Sequence, residues 1–245
     1  MARLLATISS LKEELKCIDG YVIGYEKFTF FGASIFSYKE IEQYHHKEKL
    51  YVLLNCLIHE NELEIAKKEV SKLASLGVNF IIQDIGLLYY LSKIVDKSRI
   101  IFNPYTLICN SGDLKDYYDT FGVVSALSQE LTILEIKEIL SKCKHTMITI
   151  YGHKPLYQSY RKVISIYEDN NNLHINKDNL SLKEDTREDL MPIFENQYGS
   201  VVFSSAPNDL TQNISALSDA DFLYLDLSLA GEQEKENVLA RLTNE

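Results

Sequence analysis

Eight short apolar runs recur along the chain at intervals of about one β/α unit, most of them followed by a stretch patterned as a helix. The runs are Arg3 to Ala6, Tyr21 to Ile23, Leu50 to Leu54, Asn79 to Ile82, Arg99 to Phe102, Val123 to Ala126, Thr146 to Ile150 and Phe222 to Leu227. Between them, Leu63, Ala66, Val70 and Leu73 share one helical face, as do Ile133, Ile136, Leu140 and Cys143, and a further helix is expected near Ile85 to Ile94. Strands apolar on both faces that alternate with amphipathic helices are parallel strands covered by helices. Ser10 with Glu13, Ser37 with Glu40, Asn61 with Glu64 and Thr132 with Glu135 have capping-box spacing and predict helix starts. Gly77 and Gly122 sit where helices must stop.

Eight such strands in 245 residues is the size of a (β/α)8 TIM-type barrel. A doubly wound open sheet satisfies the same periodicity, because periodicity does not show closure. A long interval between the seventh and eighth runs breaks the rhythm. It holds alternating pieces at Leu173 to Ile175, Leu180 to Leu182, Met191 to Phe194 and Val201 to Phe203, punctuated by Asn170 to Asn172 and Gly199. These predict a β-hairpin insertion, residues 164–209, on the loop face of a single barrel domain spanning 1–245.

A chain that is 46% hydrophobic can bury a full core, yet no apolar run reaches the roughly 20 residues of a membrane helix. Arg3 is followed by too short an apolar stretch for a signal peptide. Cys17, Cys56, Cys109 and Cys143 are scattered without C-x-x-C spacing, which predicts no disulfide, no cysteine-built metal site and a cytoplasmic location. A net charge of -10 opposes direct binding of nucleic acid, which rests on neutralising phosphates.

The polar residues expected near the barrel mouth are Glu26, Asn55, Gln83, Asp84, Asn103, Glu130, Tyr151, His153 and Asp226. Glu130 or Asp84 could serve as a general base with His153 as partner. The same acids, each just ahead of a helix, would also favour the positive end of its dipole without catalysis. His153-Lys154 with Arg161-Lys162 is a basic run in an acidic chain, following the seventh strand, where barrels commonly hold anions. With Ser159, Asn103 and Asp226, Lys154 and Arg161 make up the expected site for a carboxylate or an RNA phosphate. His45-His46 reads as a solvated pair. His59-Glu60-Asn61-Glu62 lacks the second histidine of a zinc protease helix, Cys109 has an apolar context, and no phosphate loop or nucleophile elbow is present. Tyr117, Tyr118, Tyr157 and Tyr160 are amphipathic anchors of a kind common in protein interfaces.

Residues Gly77 to Leu88, Asn103 to Ser111, Leu127 to Thr132, Ile150 to His153 with Ser159 and Arg161, Met191 to Phe194 and Tyr198-Gly199 together resemble the barrel domain of the collagenase-like peptidases, family U32. The resemblance runs from Leu4 to about Asp226. It implies a protease by family name, although several members are associated with hydroxylation of RNA bases or ubiquinone precursors. Where members carry two cysteines after the seventh strand, this chain has Pro155 and Lys162, neither of which can ligate an iron–sulfur cluster. Three arginine positions hold Phe31, Gln129 and Ser228 instead. The resemblance therefore implies a short, divergent member without a cofactor. It would be an accessory or paired subunit of a longer relative in tRNA uridine hydroxylation, meeting RNA only indirectly, with a peptidase in its own right as the alternative.

Overall fold

Eight parallel strands carry the apolar runs: Arg3–Thr7, Gly20–Tyr25, Leu50–Leu54, Asn79–Ile82, Ile100–Phe102, Val124–Ala126, Thr146–Gly152 and Phe222–Leu225. The computed structural model describes residues 2–177, 179–186 and 188–242. Each strand pairs in parallel with the next. The last pairs with the first in the register Arg3↔Phe222 to Ala6↔Leu225, so the sheet closes into a barrel. The open-sheet alternative fails at that ladder.

Side chains alternate across a strand, so every second residue enters the barrel. Leu5, Val22, Tyr51, Leu53, Ile81, Ile101, Ala126, Met147, Phe222 and Tyr224 form one buried cluster there. Phe222 packs edge-on against Tyr51, ring centroids 5.9 Å apart, and Arg3 lies 4.1 Å over the Phe222 ring, which closes the N-terminal end. The outward residues pack under Tyr38–Gln43, Leu63–Ser75, Ile85–Leu91, Ser111–Phe121, Ile133–Leu140 and Glu232–Leu242.

The caps at Ser37 and Thr132 form as full boxes with Glu40 and Glu135. Gly77 and Gly122 adopt left-handed φ of 88° and 69°, as helix stops require. The other two expected starts differ. Glu62, not Glu64, reaches back, taking the His59 N–H at 3.2 Å, and a 3-10 turn over Glu60–Glu62 precedes the helix at Leu63. Ser10 starts no helix, because the Glu13 carboxylate instead holds the N–H and hydroxyl of Ser9, at 2.8 and 2.9 Å. Residues 8–19 thus form turns, and the first connection has no helix.

Residues 153–208 form a second compact unit, which begins ahead of the expected residue 164. Its antiparallel sheet has the order Ser181–Lys183, Leu190–Asn196, Gly199–Phe203, Pro155–Ser159. The helix Val163–Asn171 packs on it through Ile164 against Met191, Ile193 and Val202. Pro155–Ser159 has no apolar alternation, since Leu156 and Tyr157 are both exposed, so its strand character was not readable. Leu173 to Ile175 is not a strand. The Ile175 N–H is drawn to the Glu168 carboxylate at 2.7 Å, which folds the segment back on the helix.

Candidate functional site: a plugged barrel mouth

Asn55, just past the third strand and fully buried, organises the mouth of the barrel. Its carboxamide oxygen accepts the Phe30 N–H at 2.8 Å, and its amide nitrogen donates to the Phe31 carbonyl at 3.0 Å and to the Tyr105 hydroxyl at 2.8 Å. The loop after the second strand is held again by Thr29, whose hydroxyl accepts the Tyr25 N–H at 2.8 Å and donates to the Leu53 carbonyl. Its two ends turn through left-handed conformations at Phe28 and Gly32, φ 68° and 76°. A Cβ on Gly32 would lie 3.4 Å from a carboxylate oxygen of Asp226, so the loop reaches from the second strand to the eighth.

The loop delivers aromatic rings into the mouth. Phe28, Phe30 and Phe31 are all buried. Phe31 meets Phe30 edge-on and Tyr105 at a tilt, each at 5.3 Å between centroids. Tyr105 is itself left-handed at φ 59°, its N–H held by the Asn103 side chain at 3.1 Å. A non-glycine residue in that region costs on the order of 1 kcal/mol, which the surrounding contacts must offset. Where the resemblance implies an arginine, Phe31 is part of an aromatic plug.

Beneath the plug the chemistry is mostly uncharged. Burial pushes the pKa of the Tyr105 hydroxyl up, with the Asn55 bond acting against it. Burial does the same to Tyr224, helped by the nearby Asp226 charge and Tyr105. Both hydroxyls therefore stay protonated. The Tyr224 hydroxyl has no hydrogen-bond partner among the described residues. Asp226 uses one oxygen to accept from the Ser228 N–H at 3.0 Å and hydroxyl at 2.6 Å.

The expected catalytic residues fall into separate roles. Asp84 caps the helix Ile85–Leu91, one oxygen accepting the Leu87 N–H at 2.8 Å and the other the Ile58 N–H at 3.1 Å. Glu130 is exposed, and its N–H is held by the Ser128 hydroxyl at 3.2 Å. His153 belongs to the second unit, its Nδ1 bonded to the Ser204 carbonyl at 2.7 Å. Tyr151 does not reach the mouth: it bonds Glu234 on the C-terminal helix, because a register shift opposite Tyr224 and Leu225 turns it outward.

The basic run also divides. Lys154 precedes the strand Pro155–Ser159, its N–H held by Ser204, while Arg161 follows it, exposed, with its N–H on the Ser159 hydroxyl at 3.1 Å. The five-residue strand between them spans about 17 Å, so the two cations flank its opposite ends. Tyr105, Thr29 and Tyr224 were not singled out by sequence. Asn103-Pro104-Tyr105 at a strand end was the available signal for the first.

The residues do not suit an iron–sulfur cluster. Pro155 and Lys162 offer no thiolate, Cys56 is buried with its pKa raised by burial, and Cys17 and Cys109 are exposed at separate turns. Among the described residues no three His, Cys, Asp or Glu side chains gather as metal ligands, and no helix is long and apolar enough to cross a membrane.

No curated protein and no solved structure matches the chain. The sequence model of peptidase family U32 matches residues 17–244, nearly the whole length, taking in seven of the eight barrel strands, the plugged mouth and the inserted sheet. The chain belongs to peptidase family U32.

Proposed function

We propose that the chain is an accessory barrel that pairs with a longer, catalytically intact member of its family, and that the pair acts in tRNA uridine hydroxylation with RNA bound mainly by the partner. The observation that carries the accessory role is the plug. Phe30, Phe31 and Tyr105 fill the place where a barrel builds its active site, tied down by a buried Asn55 whose polar atoms are all engaged. Both oxygens of Asp84 are spent on backbone N–H groups, which favours a structural role for it. The tRNA step rests on the family resemblance alone, and the net charge of -10 supports leaving the phosphates to a partner.

Affinity purification of the chain from its native cells, followed by mass spectrometry and by analysis of tRNA uridines in a strain lacking it, tests the reading. The expected result is a longer U32 protein in stoichiometric amount and a loss of hydroxylated uridine. Purified chain that cleaves peptides, with cleavage lost in Glu130→Gln, would replace it with the peptidase alternative.

A further inference from the structure

The mouth end of the barrel carries a row of apolar side chains that the plug does not use. Leu57, Ile85, Leu107 and Leu134 follow the third, fourth, fifth and sixth strands, one to each loop or helix start, and are 41%, 53%, 65% and 74% exposed. Loops after consecutive parallel strands are neighbours around a barrel, so these residues form an arc. Tyr89, 57% exposed, extends it by one helical turn from Ile85. The arc exposes on the order of 400 Å² of apolar surface, which is within the range of the largest patches on monomers and about half of one partner's share of a standard interface.

The charges around the arc are mostly acidic. The loops after strands two to six carry Glu26, Glu60, Glu62, Asp84 and Glu130, and against them one lysine, Lys27, paired with Glu69 at 3.2 Å, while Lys93 lies 3.7 Å over the Tyr89 ring. An acidic rim around an apolar centre repels nucleic acid. It also repels a second copy of this chain, since a two-fold contact through this face would set acids against acids.

We propose that the mouth arc docks a protein whose contact surface is apolar at its centre and basic at its rim. Only the identity of that protein, a longer family member, rests on the accessory-subunit reading. Leu107 and Leu134 are the anchors to test, because both are largely exposed and their replacement leaves the core intact.

The experiment places a photocrosslinking benzophenone residue in the full chain in its native cells, at Leu107 or Leu134, and as controls at Lys144 or Asp219 near the starts of the seventh and eighth strands, at the other end of the barrel. The expected result is one protein crosslinked from the mouth positions only. With the crosslinker moved to Ile85, also exposed on the arc, capture should fall about tenfold or more in Leu107→Asp/Leu134→Asp and weaken with added salt, while the thermal transition stays unchanged. RNA as the crosslinked species, capture unaffected by the double substitution, or crosslinks from the control positions alone would overturn the docking inference. A mouth partner outside the family would keep it and sink the pairing reading; a family member caught only at the controls would do the reverse. No protein at any position would end both.

Discussion

Replacing Glu195 with Gln should unhinge the second unit, and the size of the effect can be worked from its contacts. The side chain is only 3% exposed and accepts from the Ile164 N–H at 2.7 Å, the Ser165 N–H at 3.2 Å, the hydroxyls of Ser165 and Ser200 at 2.5 and 3.0 Å, and the Lys177 ammonium at 2.8 Å. One carboxylate thus holds the first N–H groups of the helix Val163–Asn171 against the sheet. Burial alone would raise its pKa, but the bonds from Lys177, Ser165 and Ile164 outweigh it and hold the carboxyl at about 2, against an ordinary 4.5. Because the folded value is the depressed one, the stabilisation is complete above the unfolded value and is lost as pH falls from about 4.5 towards 2. Fully expressed, that difference is about 3 kcal/mol, reduced somewhat because Lys177 is part-exposed and screened. Glu195→Gln keeps the shape but turns an amide towards donors, so about 2–3 kcal/mol should be lost at neutral pH. Amide exchange within residues 163–171 and 199–203 reads it directly. The variant should exchange faster at pH 7, with the gap from wild type narrowing below about pH 4.5 and closing only near pH 2. Equal protection at pH 7 would refute the reasoning.

Four further outcomes are expected. Asn55→Ala removes three buried hydrogen bonds, those with the Phe30 N–H, the Phe31 carbonyl and the Tyr105 hydroxyl, so calorimetry should show about 2–4 kcal/mol of lost stability; an unchanged transition would mean that the plug is not held by Asn55. Asp84→Ala should cost about 1–2 kcal/mol through its two lost N–H acceptors, whereas exposed Glu130→Gln should cost less than about 0.5, and the reverse order in chemical denaturation would reopen a buried role for Glu130. Gly199→Ala places a Cβ 1.9 Å from the Ser159 carbonyl oxygen at φ 128°, so loss of the amide protection of Gly199–Phe203 is expected, and a native spectrum would contradict it. Protein purified without oxygen should hold no stoichiometric iron, since Pro155 and Lys162 cannot supply thiolates; a broad visible band with bound iron would be decisive against this.

The barrel was legible because its strands are buried on both faces, so unbroken apolar runs mark each one. Even the closing pair, Arg3–Thr7 beside Phe222–Leu225, could be placed from two all-apolar segments at the ends of the chain. Local chemistry misled where one acid had two possible partners: Glu13 took Ser9 rather than completing a cap at Ser10, and the predicted first helix did not form. At the site, Phe31 in the place where the resemblance implies an arginine was visible in the sequence. Its consequence was not, because the contact between Phe31 and Tyr105 joins loops more than 70 positions apart. Asp84 and Glu130 looked equivalent as acids before helices, and only geometry separates a doubly bonded cap from an exposed side chain.

The most direct test of an accessory barrel with a closed mouth is the native assembly itself, measured by intact-complex mass spectrometry of the chain isolated from its own cells. The account predicts one copy of this chain bound to one longer U32 protein, separating on Leu107→Asp/Leu134→Asp. A chain that runs alone at every salt concentration, while hydrolysing peptides by itself, would contradict it.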